Sequence, residues 1–181
     1  MARIPSPLCR AALSAIAILS AGAPAQTAPI GIAAPPGIVA VRGIVTGNVQ
    51  KVGFRAMVMK QAIKHNLAGT ARNHPDSSVE FTLQGRPGRI DKALETIRDG
   101  TRTSSDVKVA TEPTAVDPAL GTFTVFDWTS TSRNITQPYT LVFTVRSVDE
   151  TIPMAQARNA WHAILRTTLA DDDLRKLGPD D

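Results

Sequence analysis

The order of hydrophobic periods through residues 38–128 constrains the fold of this chain more than any other feature of its sequence. Residues 38–46 are β-branched and bounded by glycine, which indicates a strand, and from Phe54 onward apolar residues recur at helical spacing. Two short strands, a second helix and two more strand candidates follow. The order β-α-β-β-α-β, with one further strand, predicts an α+β, ferredoxin-like sandwich in which two helices cover one face of an antiparallel sheet.

Both predicted helices are amphipathic, as is typical of helices that pack one face on a sheet. The first separates apolar from polar side chains, with Ala56, Met59, Ile63 and Leu67 on one side and Lys60, Gln61 and Lys64 on the other. The second repeats the apolar spacing at Ile90, Ala93, Leu94 and Ile97, and it ends at Gly100. We therefore expect both apolar stripes to face the same core.

Residues 129–181 form a predicted C-terminal extension of one strand and one helix. Apolar residues alternate through residues 139–145, and Pro153 occupies a favoured first helical position ahead of a stripe of Met154, Ala157, Trp161 and Ile164. Both elements have an apolar face to bury. We expect them to pack on the core, where the strand can extend the sheet edge.

Residues 1–25 have the pattern of a secretory signal peptide: a basic start, a short apolar run and the small residues Ala23-Pro24-Ala25. The run is too short to span a bilayer permanently. The sequence therefore predicts cleavage after Ala25 and export to the periplasm or the medium, without stable membrane insertion afterwards. Residues 26–37 are rich in Pro, Gly and Ala, which indicates a flexible linker.

Composition narrows the possible chemistry. The single cysteine, Cys9, lies in the predicted leader, so the mature chain would have no thiol for a disulfide, a nucleophile or a metal. His65, His74 and His162 have no metal-ligand spacing to one another. The net charge is +4, but the sequence contains no long run of Lys and Arg that would bind a nucleic-acid backbone. Only 4% of residues are aromatic, so few side chains could stack on bases. We expect no metal, no cofactor and no nucleic-acid partner, and the oligomeric state stays open.

Residues 47–62 run from a glycine-containing turn into the first helix. The N-terminus of a helix has unpaired N–H groups and partial positive charge, so it can bind an anion. Gly47 and Gly53 let the backbone curve tightly, and Arg55 in the first turn can bind two oxygens of one phosphate. The glycine spacing fits neither a Walker motif nor a dinucleotide fingerprint. The stretch therefore predicts a phosphate pocket of another kind.

Two segments resemble motifs of the acylphosphatase family. Residues 47–55, GNVQKVGFR, resemble the first motif, G-x-V-Q-G-V-x-F-R, and residues 69–79, GTARNHPDSSV, resemble the second, G-x-x-x-N-x-P-D-G-x-V. The resemblance covers residues 38–128. It implies a metal-independent hydrolase that cleaves the carboxyl–phosphate bond of small acyl phosphates to carboxylate and phosphate, with inorganic phosphate as an inhibitor.

The resemblance also implies residue roles, carried over by position. Arg55 would bind the phosphoryl group and Asn73 would orient the attacking water. Main-chain amides would complete the phosphate site, from Gln50, Lys51, Val52, Gly53 and Phe54. A carboxamide can accept a hydrogen bond from water and donate one to an oxyanion, whereas a carboxylate at position 73 would repel the phosphate.

The chain departs from the family motifs at two glycine positions. Lys51 stands at the first, where a positive φ would strain a lysine by about 1–2 kcal/mol. Alternatively, its ammonium adds a second positive charge beside the phosphate. Ser77 stands at the second, and we expect it to shift the hairpin turn without displacing Asn73.

A second hypothesis assigns the same fold to a non-catalytic module, exported to bind an anion or a protein. The predicted leader favours it, since acyl phosphates are mostly internal metabolites. Tight anion binding without turnover would indicate this module, and competition between inorganic phosphate and acyl phosphate turnover would indicate the enzyme. A nucleic-acid-binding sheet is a weaker third hypothesis, because the few phenylalanines stand mostly at expected core positions.

Overall fold

The structure, a computed structural model, describes residues 36–146 and 151–178. The predicted signal peptide, residues 1–25, and most of the predicted linker lie outside the described residues, as do parts of the C-terminal extension. Export and cleavage after Ala25 therefore stay predictions. Within the two described ranges, none of the helices combines the length and the apolar character needed to cross a membrane.

The order of elements along the described chain matches the sequence prediction. The strands and helices are β1 Val39–Asn48, α1 Phe54–His65, β2 Ala68–Asn73, β3 Val79–Gly85, α2 Pro87–Asp99, β4 Ser105–Thr114, β5 Thr122–Ser130, β6 Ile135–Thr144, α3 Met154–Thr168 and α4 Asp171–Leu174. The βαββαβ core, the further strand and the C-terminal strand and helix are all present.

The strands form one sheet in the order β4-β1-β3-β2-β5-β6. All neighbouring pairs are antiparallel except β2 and β5, which run parallel. The predicted fold class is confirmed, but the sheet is mixed and not wholly antiparallel. The reason is topological: β4 runs opposite to β2, and the chain reverses after β4 before it adds β5 at the far side of β2.

The connection from β4 to β5 is fixed to the sheet by one glutamine. Gln84 of β3 donates through Nε2 to the carbonyl oxygen of Asp117, and its Oε1 accepts from the Asp117 amide, both at 2.8 Å. This pair of bonds holds the middle of the connection against the central strands. It therefore helps to deliver β5 to the edge where the site forms.

The core lies between the sheet and the helices. The four predicted apolar residues of α2, namely Ile90, Ala93, Leu94 and Ile97, are all buried, with at most 5% of any of them exposed. Burying side chains of this size stabilises the fold by about 1.5–3 kcal/mol each for the larger ones. The predicted role of this helix is confirmed.

Helix α1 is buried on more than its predicted apolar stripe. Gln61, which we expected on the polar side, is only 3% exposed, and so is His65. The prediction for Gln61 was wrong because α1 packs against α2 and α3 as well as the sheet, so faces that would otherwise meet water are covered. Lys60 shows the same covering, since its ammonium lies 5.2 Å from the centroid of the Trp161 ring.

The C-terminal extension packs as part of the same core. Strand β6 pairs with β5 and buries Tyr139 and Leu141, as the alternation predicted. Helix α3 buries Ala157, Trp161 and Leu165, while the predicted Ile164 is only partly buried. The buried stripe of α3 is thus displaced by one residue at its C-terminal end, where Leu165 packs into the core.

Candidate functional site

The predicted phosphate loop connects β1 to α1 and has the backbone geometry of an anion site. Gly53 caps α1 with φ 72°, no side chain caps the helix, and its first turn contains no acidic residue. No side-chain cap occupies the amides at this helix end, and its first turn adds no carboxylate that would oppose an anion. Gly47 is required for close packing, because a Cβ there would lie 2.3 Å from the carbonyl oxygen of Asp106.

Both positions that depart from the family motifs adopt the left-handed conformation. Lys51 has φ 60° and Ser77 has φ 70°. Because φ is positive at Lys51, the backbone there is strained by about 1–2 kcal/mol. Ser77 takes the conformation that glycine favours, and Asp76 Oδ1 supports the turn by accepting from the Ser78 amide at 2.9 Å.

Gln50 joins the loop to the hairpin that carries Asn73. Its side-chain Nε2 donates to the carbonyl oxygens of His74 and Ser78, both at 2.8 Å. The sequence suggested only a main-chain role for Gln50, and its side chain is the contact that sequence reasoning missed. The motif glutamine was the available signal, since a carboxamide next to a loop of free amides can supply two donors to a neighbouring turn.

Arg55 lies at the first turn of α1 and is only 9% exposed. Its Nη1 donates to the carbonyl oxygens of Phe126 at 2.6 Å and Asp127 at 2.7 Å. Successive carbonyls of a regular strand point to opposite sides, so this bidentate contact needs the irregularity in β5 between Val125 and Trp128, where Asp127 has φ 51°. Within the described ranges, the hydrogen bonds of the Arg55 side chain use Nη1 alone, so the donors on Nε and Nη2 remain for a ligand.

Burial sets the electrostatics of Arg55. Desolvation lowers the pKa of the guanidinium from its usual value, and the nearby Asp127 acts in the opposite direction. Arginine nevertheless stays protonated in proteins. A charge that has lost water attracts an anionic ligand more strongly than an exposed charge would.

Asn73 ends β2, beside the loop. Its Oδ1 is buried and has no hydrogen-bond partner among the described residues. The strand around it is held by Glu80, which is 3% exposed and accepts from Arg72 Nε at 2.8 Å and Arg42 Nε at 2.9 Å. Burial alone would raise the pKa of the Glu80 carboxyl, but the bonds from Arg72 and Arg42 hold it below its usual value.

One cavity of about 310 Å³ brings most of the predicted site residues together. The predicted residues that line it are Gln50, Lys51, Gly53, Phe54, Arg55 and Asn73. Val52 does not line it, and its carbonyl accepts from Thr101 Oγ1 at 3.2 Å. The described lining residues include Lys51, Arg55 and Lys60 but no Asp or Glu, so the cavity suits an anion.

Comparison with known proteins identifies the family to which this chain is similar. The acylphosphatase sequence model matches residues 41–125. Acylphosphatase from Chlorobaculum tepidum is 39% identical over 82 residues, which are 45% of this chain and 89% of that protein. Acylphosphatase from Chromohalobacter salexigens is 42% identical over 79 residues, which are 44% of this chain and 87% of that protein.

This chain belongs to the acylphosphatase family. It is an enzyme of the acyl phosphate hydrolase class, as the family and its named relatives indicate. Among solved structures, an acylphosphatase from Coxiella burnetii is 28% identical and covers 49% of this chain and 93% of that one, with a TM-score of 0.45. The predicted family resemblance is confirmed.

The acylphosphatase domain, residues 41–125, does not supply the whole cavity. Trp128, residues 129–132, Trp161, Leu165 and Leu177 also line it, and all of them follow the matched segment. The sequence analysis placed Trp161 on an apolar helix face that packs on the core, and it assigned the extension no part in the site. No local motif marks these residues, because they meet only after the extension has folded onto the acylphosphatase domain.

The described residues also bear on metal chemistry. In residues 36–146 and 151–178, no group of three or more His, Cys, Asp or Glu side chains is arranged to hold a metal ion. His74 lies near a carboxylate, with Nε2 at 3.5 Å from Glu80 Oε2, but the other neighbours of that carboxylate are the arginines already described. The charged side chains that line the cavity, among the described residues, are those of Lys51, Arg55 and Lys60.

Proposed function

We propose that the acylphosphatase domain hydrolyses small acyl phosphates with Arg55 and the loop amides holding the phosphoryl group and Asn73 orienting the water. The observation that carries this proposal is the shared cavity: Arg55, the loop and Asn73 all line it, and no acidic residue of the described ranges does. Phosphoryl transfer depends mainly on positioning and charge stabilisation. A site of amides, one guanidinium and one carboxamide supplies both.

The chemical step is a single displacement at phosphorus. The water oxygen forms a bond to phosphorus while the bond from phosphorus to the acyl oxygen breaks, and its electron pair leaves with the carboxylate. The proton of the water passes to an oxygen of the substrate's own phosphate. A carboxylate is a good leaving group, so the reaction does not require a general acid from the protein.

Arg55 stabilises the charge on the equatorial phosphate oxygens. Because Nη1 is bonded to the carbonyls of Phe126 and Asp127, the guanidinium is held in one orientation, and Nε with Nη2 forms the fork offered to the phosphate. Such preorganised donors need little rearrangement as charge develops in the transition state. The burial of Arg55 strengthens the interaction.

Asn73 accepts a hydrogen bond from the attacking water through its buried Oδ1. Its position depends on two supports, the bonds from Gln50 to the hairpin and the ion pairs of Glu80 with Arg72 and Arg42. Effective positioning of a nucleophile is worth several orders of magnitude in rate. The rigidity of the hairpin is therefore part of the proposed mechanism.

The experiment is phosphate release from benzoyl phosphate by the full chain, with and without EDTA. We expect turnover that EDTA does not change, since the proposed charge stabilisation comes from Arg55 and the amides, and competitive inhibition by inorganic phosphate. Binding of phosphate without turnover would instead support the anion-binding module. Turnover that EDTA abolishes and Mg²⁺ restores would contradict the metal-independent mechanism.

Export is a separate part of the proposal, supported by the leader pattern of residues 1–25. We propose that the mature enzyme begins at Gln26 and acts outside the cytoplasm. Cell fractionation with mass determination of the recovered chain tests this. A chain that keeps residues 1–25 and stays in the cytoplasmic fraction would overturn it.

A further inference from the structure

The cavity has a second end that the acylphosphatase domain does not build. We call it the acyl-end wall, and it consists of residues 129–132, at the end of β5 and in the turn after it, with Trp161, Leu165 and Leu177. All of these residues lie beyond the family match, which ends at residue 125. Since the loop and Arg55 form the phosphate end, the rest of a bound acyl phosphate must lie against other parts of the cavity.

The chemistry of the acyl-end wall is uncharged. Trp161, Leu165 and Leu177 are apolar, and residues 129–132 contribute only hydroxyl side chains, those of Thr129, Ser130, Thr131 and Ser132. The ammonium of Lys60 also borders the cavity, but it lies over the Trp161 ring at 5.2 Å, an arrangement that stabilises it in place. The wall therefore suits an uncharged, apolar acyl group.

The wall is held rigidly, as a specificity surface should be. Trp161 is 2% exposed and packs edge-to-face on Trp128, with ring centroids 5.9 Å apart. The segment before Leu177 is tied to β6, because Tyr139 Oη donates to Asp173 Oδ2 at 2.7 Å. Lys176 Nζ then donates to Asp173 Oδ1 at 2.6 Å and to the Asn134 carbonyl at 3.1 Å.

We propose that the C-terminal extension is the acyl-specificity element of this enzyme, and that its acyl-end wall selects acyl phosphates with a bulky, uncharged acyl group, aromatic or branched, over acetyl phosphate. The inference rests on the proposed function. A cavity of about 310 Å³ is at the lower end of the range for small-molecule sites, so an acetyl group leaves much of it unfilled. A bulkier acyl group reaches the wall and removes apolar surface from water.

The test compares benzoyl phosphate with acetyl phosphate in the full chain and in two variants. Leu177→Ala shortens the wall, and Leu174→Ala is the matched control, because Leu174 is also partly buried in the same segment but does not line the cavity. We expect Leu177→Ala to lower the ratio of kcat/KM for benzoyl over acetyl phosphate about tenfold. Acetyl phosphate turnover should stay within about twofold, which also shows that the variant is folded.

The outcomes separate this inference from the proposed function. An unchanged ratio in Leu177→Ala, or an equal fall in Leu174→Ala, would overturn the inference while acetyl phosphate turnover leaves the proposed function standing. Turnover of acetyl but not benzoyl phosphate by the unaltered chain would also overturn it, since the extension would then exclude bulky groups. Absence of turnover with both substrates would overturn the proposed function itself.

Discussion

The two ends of the cavity are built in different ways. The phosphate end comes from a short stretch of chain, residues 49–55, together with Asn73 on the neighbouring hairpin. The acyl-end wall comes from the end of β5 with the turn after it, from α3 and from the segment after α4. Binding a phosphate requires backbone amides and a charge, which local sequence can arrange. Binding an acyl group requires a shaped apolar surface, which only packing can assemble.

Arg55 connects the two ends. Its position on α1 is set by the motif, yet its Nη1 is held by carbonyls of Phe126 and Asp127, which follow the family match. The irregularity of β5 that presents these carbonyls also leads into the turn of the acyl-end wall. Arg55 therefore belongs to both modes of construction, and the other residues show the difference between the locally encoded phosphate end and the acyl-end wall more clearly.

The largest expected effect is at Arg55. Arg55→Ala should reduce kcat/KM by roughly 10³-fold or more, because the phosphoryl charge loses its cationic partner. Steady-state assays with both benzoyl and acetyl phosphate measure it, and the loss should be similar for the two substrates. Arg98→Ala, which removes an exposed arginine of α2, is the control and should be neutral. A loss confined to benzoyl phosphate would place Arg55 at the acyl end.

Asn73→Ala should come next, with kcat reduced by roughly 10²-fold. The inhibition constant of inorganic phosphate should change little, because the amides and Arg55 still bind the anion. Asn73→Asp keeps the shape but adds a negative charge, so it should weaken phosphate inhibition as well. Equal phosphate inhibition in the two variants would contradict the assigned position of Asn73 beside the phosphate.

Gln50→Ala tests whether the phosphate end depends on the hydrogen bonds that join its loop to the hairpin of Asn73. Losing both bonds to the hairpin should let Asn73 move and lower kcat by about 10-fold, with a smaller effect on KM. Gln137→Ala removes an exposed glutamine of β6 and is the matched control. A change in KM alone would indicate that Gln50 acts on binding and not on the position of Asn73.

Lowering the pH should reduce the stability of the fold without protonating the cavity, because the described residues that line the cavity include no histidine or carboxylate. Burial lowers the pKa of His65 from its ordinary 6.5 to about 4, with smaller contributions from Lys64, Lys92 and Arg89. The folded chain therefore takes up this proton only near pH 4, while the unfolded chain does so near 6.5. The free energy of unfolding should fall by ~3 kcal/mol as the pH drops through this window.

Urea unfolding between pH 7 and pH 4 measures that fall. His65→Gln removes the titrating group and should flatten the pH dependence. An equally steep dependence in His65→Gln would assign the acid sensitivity to other groups.

The smallest effect concerns Lys51. Lys51→Gly should raise the free energy of unfolding by about 1 kcal/mol, because glycine adopts φ 60° without strain. Lys51→Ala keeps the strain and removes the ammonium, so the pair separates conformation from charge. If phosphate inhibition weakens equally in both variants, the ammonium contributes to the phosphate end.

Sequence reasoning was most successful where structure follows from neighbouring residues. The α2 stripe, the loop glycines and the motif positions of Arg55 and Asn73 could all be read locally, since helix periodicity and turn conformation depend on residues a few positions apart. It failed at Gln61, which is buried among packed helices, and at the direction of β5, which depends on the path of the whole chain. It also gave no sign of the partners of Arg55.

The sequence by itself determined the order of elements and the family, and it predicted the residues of the proposed phosphate end, because a phosphate site built on a helix N-terminus is encoded by consecutive residues. Only the tertiary structure decided that the extension covers α1, that carbonyls of β5 hold Arg55 and that Leu177 reaches the cavity. Such contacts join residues far apart in the chain. They depend on how whole elements pack, which no local pattern of residues specifies.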